Sequence, residues 1–242
     1  MTNDAREALV RVAARALARA GLVHAYGHCS QRIDEGSFLA CAPRPMGLIQ
    51  PGERGSVVRL DAPLPDGVLG EVRIHREIYR RRPDVGGICR TMPPHAMALA
   101  ALGRTPKARH GFGSYFATDD SLGPPLWDDP LLLRDDADAV LLAEQLGAGR
   151  AILMRGNGAV TAGESLEQAV VFTWYLEDAC RVELEALRTG LAETAPVFTP
   201  AQVAARAVGT GRLYERMWEY LTDGDPEAAL LAAPTAARPR RR

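Results

Sequence analysis

Glu71 and His75 stand four residues apart, and Arg90 follows the short apolar run Val85 to Cys89. Four residues are about one helical turn, so the carboxylate and the imidazole share a face if this stretch is helical. An arginine at the end of a buried strand carries a charge that burial penalises unless an anion meets it. Glu71, a bound anion, or both would meet that need. Asn157 sits between Gly156 and Gly158. Turn chemistry alone accounts for such a run, but the amide can also bind a substrate oxygen. Arg44, flanked by Pro43 and Pro45, offers a planar fork suited to a carboxylate. His28 and Ser30 lie in a glycine-bearing turn, Tyr26-Gly27-His28-Cys29-Ser30, expected to face the same pocket.

Alternating helices and strands must position these groups. Leu9, Ala13, Ala16, Leu17 and Ala20 recur at helical spacing and predict a helix over 4–20 with arginines on its other face. Further helices are predicted over 71–82, 93–102, 136–147, 165–189 and 199–221. Strands are predicted at 37–41, 56–60, 85–89, 151–154 and 159–161. Residues 109–130 read as irregular. This alternation predicts a layered α/β domain. The domain is expected over 1–222, with 223–242 a flexible tail ending in Arg238-Pro239-Arg240-Arg241-Arg242.

Bulk properties remove several function classes. The formal net charge is -1 over 242 residues, which gives no footprint for nucleic acid or a membrane surface. The first 20 residues are studded with charge, so no secretory apolar segment is expected there. Cys29, Cys41, Cys89 and Cys180 form no C-x-x-C pair, and scattered single cysteines fit a reducing compartment. A cytoplasmic protein is expected.

Three segments, taken in order, resemble the class II aldolase/adducin family. Gly27-His28-Cys29-Ser30-Gln31-Arg32 is similar to its glycine turn, which closes around a substrate anion. Glu71 to Leu99 follows its pattern of a glutamate, a helix with His75 and Tyr79, then Arg82-Pro83-Asp84-Val85 and a strand. Ile152 to Gly163 resembles its hairpin before a long helix carrying a glutamate, here Glu177. The resemblance implies a three-layer α/β/α domain with a central, mostly antiparallel sheet. It also implies a homo-oligomer, commonly a tetramer, with sites between subunits.

Departures from the family pattern shape the expected chemistry. The three positions that hold zinc as histidines in the family read Arg90, Met92 and Asn157 here. Met is a poor zinc ligand and Arg repels a cation. His75, His95 and His110 show no recognisable ligand spacing. No metal cofactor is therefore expected; the alternative is a divalent metal at other ligands. The paired serines that grip a sugar phosphate are absent before Glu71. The resemblance makes Glu71 the proton carrier, with Arg90 and Asn157 stabilising an enolate. His28, Ser30, Arg44, His75 and Met92 are expected to bind a small oxo- or hydroxy-carboxylic acid. His75 has a competing reading as a packed core histidine. Decarboxylase, retro-aldolase and dehydratase activities all fit. A metal-dependent aldolase or epimerase and a non-catalytic adducin-like module are the rivals.

Overall fold

The structure is a computed structural model that describes residues 1–118 and 121–231. Helix α1 spans Asn3–Arg19, capped by the Thr2 hydroxyl on Ala5 N–H. Strands β1 (His28–Arg32), β2 (Ser37–Ala40) and β3 (Ser56–Arg59) follow. Next come α2 (Val72–Arg81), β4 (Gly87–Thr91), α3 (Pro94–Ala101), β5 (Leu126–Trp127) and α4 (Asp136–Leu146). The β6–β7 hairpin (Ala151–Met154, Gly158–Gly163) leads into α5 (Leu166–Arg188). The chain then forms α6 (Pro200–Arg206), α7 (Leu213–Thr222) and α8 (Ala228–Leu231).

Seven strands make one sheet in the order β3-β2-β1-β4-β7-β6-β5, antiparallel except for the β5–β6 pair. Side chains alternate between its faces. Phe38, Ala40, Ile88, Val160 and Ile152 point to one face and form a core with Ile74, Ile78 and Tyr79 of α2 and Leu142 of α4. On the other face, Cys29, Leu39 and Cys89 meet Leu9, Ala13 and Leu17 of α1 and Val170 of α5. The expected three layers and mostly antiparallel sheet are therefore present. Trp127 packs against the α2–α4 core, and Tyr214 and Trp218 pack against the α5 side. The four cysteines are free and buried. No helix among the described residues is long and apolar enough to cross a membrane.

Three expectations need correction. His28–Arg32 is a strand, not a turn: β1 is hydrogen-bonded to β2 on one side and β4 on the other. The segment over 199–221 is two helices. It breaks at Gly209 to Arg212, where Gly211 and Arg212 both take positive φ. The third concerns the boundary at 222, since the chain stays packed beyond it. Arg15 grips Asp225 through Nε and Nη2 at 2.8 and 2.7 Å, and Arg11 grips Glu227 at 2.9 and 2.7 Å. Arg19 adds a 2.7 Å contact to Asp225. Of the arginines expected on a solvent face of α1, Arg11 and Arg15 are thus buried, while Arg19 stays exposed. The basic run 238–242 lies outside the described residues.

These contacts hold the Asp225 carboxyl down to about 2 against the opposing pull of burial, with Arg15 and Arg19 the main stabilisers of its charge. A carboxyl depressed on folding adds stability above its unfolded value and loses it as pH falls toward the folded one. Asp225→Asn should cost on the order of 2 kcal/mol at pH 7, because it leaves buried guanidinium donors less well matched. The gap to wild type should close as the pH drops from about 4 to 2. Thermal melts across that range check both statements.

Candidate active site

Residues from three elements meet at one end of the sheet. Arg90 is near the end of β4, Glu71 immediately precedes α2, and Asn157 is in the β6–β7 turn. Arg90 Nη2 lies 3.0 Å from Glu71 Oε2 and donates to Asn157 Oδ1 at 2.5 Å. Asn157 Nδ2 donates to Glu71 Oε1 at 2.9 Å. The result is a closed triangle of cation, carboxylate and amide. The Arg90 side chain is only 3% exposed, whereas that of Glu71 is 20% exposed. The triangle is thus reached from the Glu71 side. Burial pulls the Arg90 guanidinium below its ordinary range, and Glu71 pulls it back up.

Local structure separates chemistry from scaffolding here. Glu71 makes no side-chain cap to α2, so the helix start does not account for it. In the hairpin, Gly156 and Gly158 take the positive φ angles of +69° and +84°. A Cβ at Gly158 would come within 2.0 Å of Thr91 O. The glycines carry the turn and its close approach to β4. Asn157 has no positive φ, so its identity is free to serve its side-chain contacts.

Beneath Arg90 runs a buried polar chain. His28 pairs with Arg90 across β1 and β4. Its Nδ1 is 2.9 Å from His75 Nε2, whose Nδ1 is 2.6 Å from Ser30 Oγ, itself 3.0 Å from the Tyr79 hydroxyl. Glu71, His75 and Tyr79 recur at four-residue intervals along α2, which is the signal that could have assigned Tyr79 to this chain. Burial pushes both imidazoles down: His75 falls to about 3, with Arg90 adding to the effect, and His28 falls well below the ordinary range through burial, His75 and Arg90. Both rings are therefore neutral near pH 7.

Several expected ligand-binding residues have other duties. Ser30 and His75 are fully buried behind His28 and support it. Arg32 donates to the carbonyls of Tyr79, Arg82 and Val85 and stacks 4.6 Å from the Tyr79 ring, which fastens α2 to the sheet. The segment expected to close around an anion is thus largely structural. Arg44 is not in the triangle; its Nη1 bonds the Glu53 carboxylate at 3.1 and 3.2 Å on the surface. Met92 is half-buried, and its Cα lies near the Gly158 turn. Glu177 receives the His95 and Ala96 backbone N–H groups at 2.9–3.0 Å and so caps α3. The Arg90, Met92 and Asn157 side chains do not fit a divalent cation, because a buried guanidinium already occupies the face of Glu71 where such a charge would sit. Among the described residues, no group of three or more His, Cys, Asp and Glu could hold one elsewhere.

Comparison with known proteins agrees with this architecture. Residues 8–184 match the family described as Class II Aldolase and Adducin N-terminal domain, and the chain belongs to that family. A 3,4-dihydroxyphthalate decarboxylase of Arthrobacter keyseri is 31% identical over 203 residues, covering 77% of this chain and 80% of that protein. Decarboxylase NovR of Streptomyces niveus is 30% identical, covering 77% of this chain and 71% of the relative. An aldolase II superfamily protein from Pseudomonas syringae superposes with a TM-score of 0.70 at 24% identity, covering 91% of this chain and 92% of that one. That last likeness concerns the fold.

A histidine whose folded value is lowered binds fewer protons folded than unfolded, so stability rises with pH between the two values. The imidazole resonances of His28 and His75 should stay flat from pH 8 to 5 in the folded protein. Stability should decline below the ordinary histidine value of 6.5. Proton NMR and denaturant titration at matched pH test this. A midpoint near 6.5 for either ring would contradict the buried neutral pair.

Proposed function

We propose that the protein is a metal-independent decarboxylase-type lyase acting on a small hydroxy- or oxo-carboxylic acid. The observation that carries this reading is the Arg90 guanidinium held between Glu71 and Asn157 at the reachable end of the sheet. Relatives at about this degree of identity bear decarboxylase names, which supports carbon–carbon cleavage with loss of carbon dioxide.

The chemistry needs a place for negative charge and a source of one proton. As the bond to the carboxylate carbon breaks, carbon dioxide leaves and the electron pair moves onto a conjugated oxygen of the substrate. Arg90 and the Asn157 amide are donors beside that position and stabilise the enolate once they turn from Glu71 to the substrate. Glu71 then delivers a proton to the carbon that lost the carboxyl group. Its exposed edge draws the replacement from water. One proton enters and one carbon dioxide leaves, so the step balances. Retro-aldol cleavage and dehydration share the enolate, but the decarboxylase relatives favour loss of carbon dioxide. The homotetramer implied by the family resemblance belongs to the same proposal, since a second copy would enclose Glu71.

Carbon dioxide release from 3,4-dihydroxyphthalate is the assay. Glu71→Gln should lower kcat by roughly 10²–10⁴ through loss of the proton carrier. Arg90→Met should lower it by roughly 10²–10³ or more through loss of the charge that stabilises the enolate. Both variants should keep a cooperative melt. Full activity in either folded variant would remove the triangle from the mechanism.

A further inference from the structure

Two buried polar atoms beside the triangle have no hydrogen-bond partner among the described residues: His28 Nε2 and Arg90 Nε. They belong to directly opposed residues of β1 and β4. An arginine Nε can only donate. The role of His28 Nε2 follows from counting protons along the chain behind it.

Four contacts join that chain. The Tyr79 hydroxyl reaches Ser30 O at 3.1 Å, and its oxygen is 3.0 Å from Ser30 Oγ. Ser30 Oγ meets His75 Nδ1 at 2.6 Å, and His75 Nε2 meets His28 Nδ1 at 2.9 Å. Four protons are available, one on each hydroxyl and one on each neutral ring. Every contact holds a proton in one arrangement. Tyr79 donates to the Ser30 carbonyl, Ser30 donates to the Tyr79 oxygen, His75 Nδ1–H donates to Ser30, and His28 Nδ1–H donates to His75. The opposite tautomers leave one contact without a proton and place an N–H of His28 beside the Arg90 cation. In the arrangement that fills all four contacts, His28 Nε2 is a lone pair.

An unpartnered acceptor and an unpartnered donor on directly opposed residues fit a group that does both, and a hydroxyl is the smallest such group. Leaving two buried polar atoms unpaired is costly, so a ligand that satisfies both gains accordingly. We propose that His28 Nε2 and Arg90 Nε form a subsite for a hydroxyl group of the substrate, with His28 accepting and Arg90 donating. The substrate is then a hydroxy-acid in preference to its deoxy counterpart. Both atoms are closed to water, so the hydroxyl reaches them as the Arg90 head group turns from Glu71 to the incoming carboxylate. Tyr79, Ser30 and His75 are positioning residues that fix the His28 tautomer. This subsite rests on the reading of the triangle as a small-carboxylate site.

The test uses the full-length protein labelled with ¹⁵N-histidine, with 3,4-dihydroxybenzoate and benzoate as probes. In the free protein both rings should carry their proton on Nδ1. Addition of 3,4-dihydroxybenzoate should shift the His28 Nε2 resonance, and this acid should bind about tenfold or more tightly than benzoate, the effect of one well-made hydrogen bond. His28→Phe should remove that preference, bringing the affinity for 3,4-dihydroxybenzoate to that for benzoate. Tyr79→Phe should mix the His28 tautomers and shrink the preference. A proton on His28 Nε2 in the free protein overturns the proposal, and so does equal affinity for the two acids. A His28 Nε2 resonance that ignores 3,4-dihydroxybenzoate also overturns it. Absence of carbon dioxide release from 3,4-dihydroxyphthalate with the hydroxyl preference intact would instead sink the decarboxylase reading and leave the subsite standing.

Discussion

A guanidinium buried at the end of a strand must be met by anions and acceptors, and much of this structure is arranged around that requirement at Arg90. Glu71 reaches it from the start of α2, and Asn157 reaches it from a turn whose two glycines absorb the backbone strain. The Glu71 contact would not exist if α2 slid along the sheet. Arg32 prevents this by tying three carbonyls at and beyond the end of α2 to β1. The fold thus spends one arginine to hold a helix in place and another to hold charge at the site.

The same requirement explains the neutral chain behind the site. With Arg90 already cationic, protonating His28 or His75 would place like charges side by side in a medium that screens them poorly. The two rings serve instead as a hydrogen-bonded strut from β1 to α2, ending at Tyr79. Positive charge in this region is confined to a side chain that cannot lose it at physiological pH. A metal ion would supply comparable charge with open coordination; a guanidinium supplies hydrogen-bond donors and no coordination sites.

Much of the fold was legible in the sequence, and the errors share a cause. The helices showed in their 3.6-residue spacing, and the hairpin in Gly156-Asn157-Gly158. The Glu71–Arg90 contact followed from the cost of an unpaired charge at the end of a buried strand. What failed were places where polar residues are buried against partners remote in sequence. In β1, His28 and Ser30 face the core yet look like turn residues, because α2 satisfies them from more than 40 positions away. Arg11 and Arg15 looked solvent-facing because their acids lie beyond residue 220. Arg44 looked free because nothing in the periodicity of its loop reveals Glu53 nearby. Composition gives no sign of such pairs; only the folded chain brings them together.

The central claim is that a side-chain cation does the electrostatic work of the site. Elemental analysis of protein purified without chelator, paired with carbon dioxide release from 3,4-dihydroxyphthalate before and after dialysis against EDTA, tests it most directly. The account predicts metal far below one equivalent per chain and unchanged turnover. One equivalent of a divalent metal, with activity lost on chelation and restored by that ion, would contradict it.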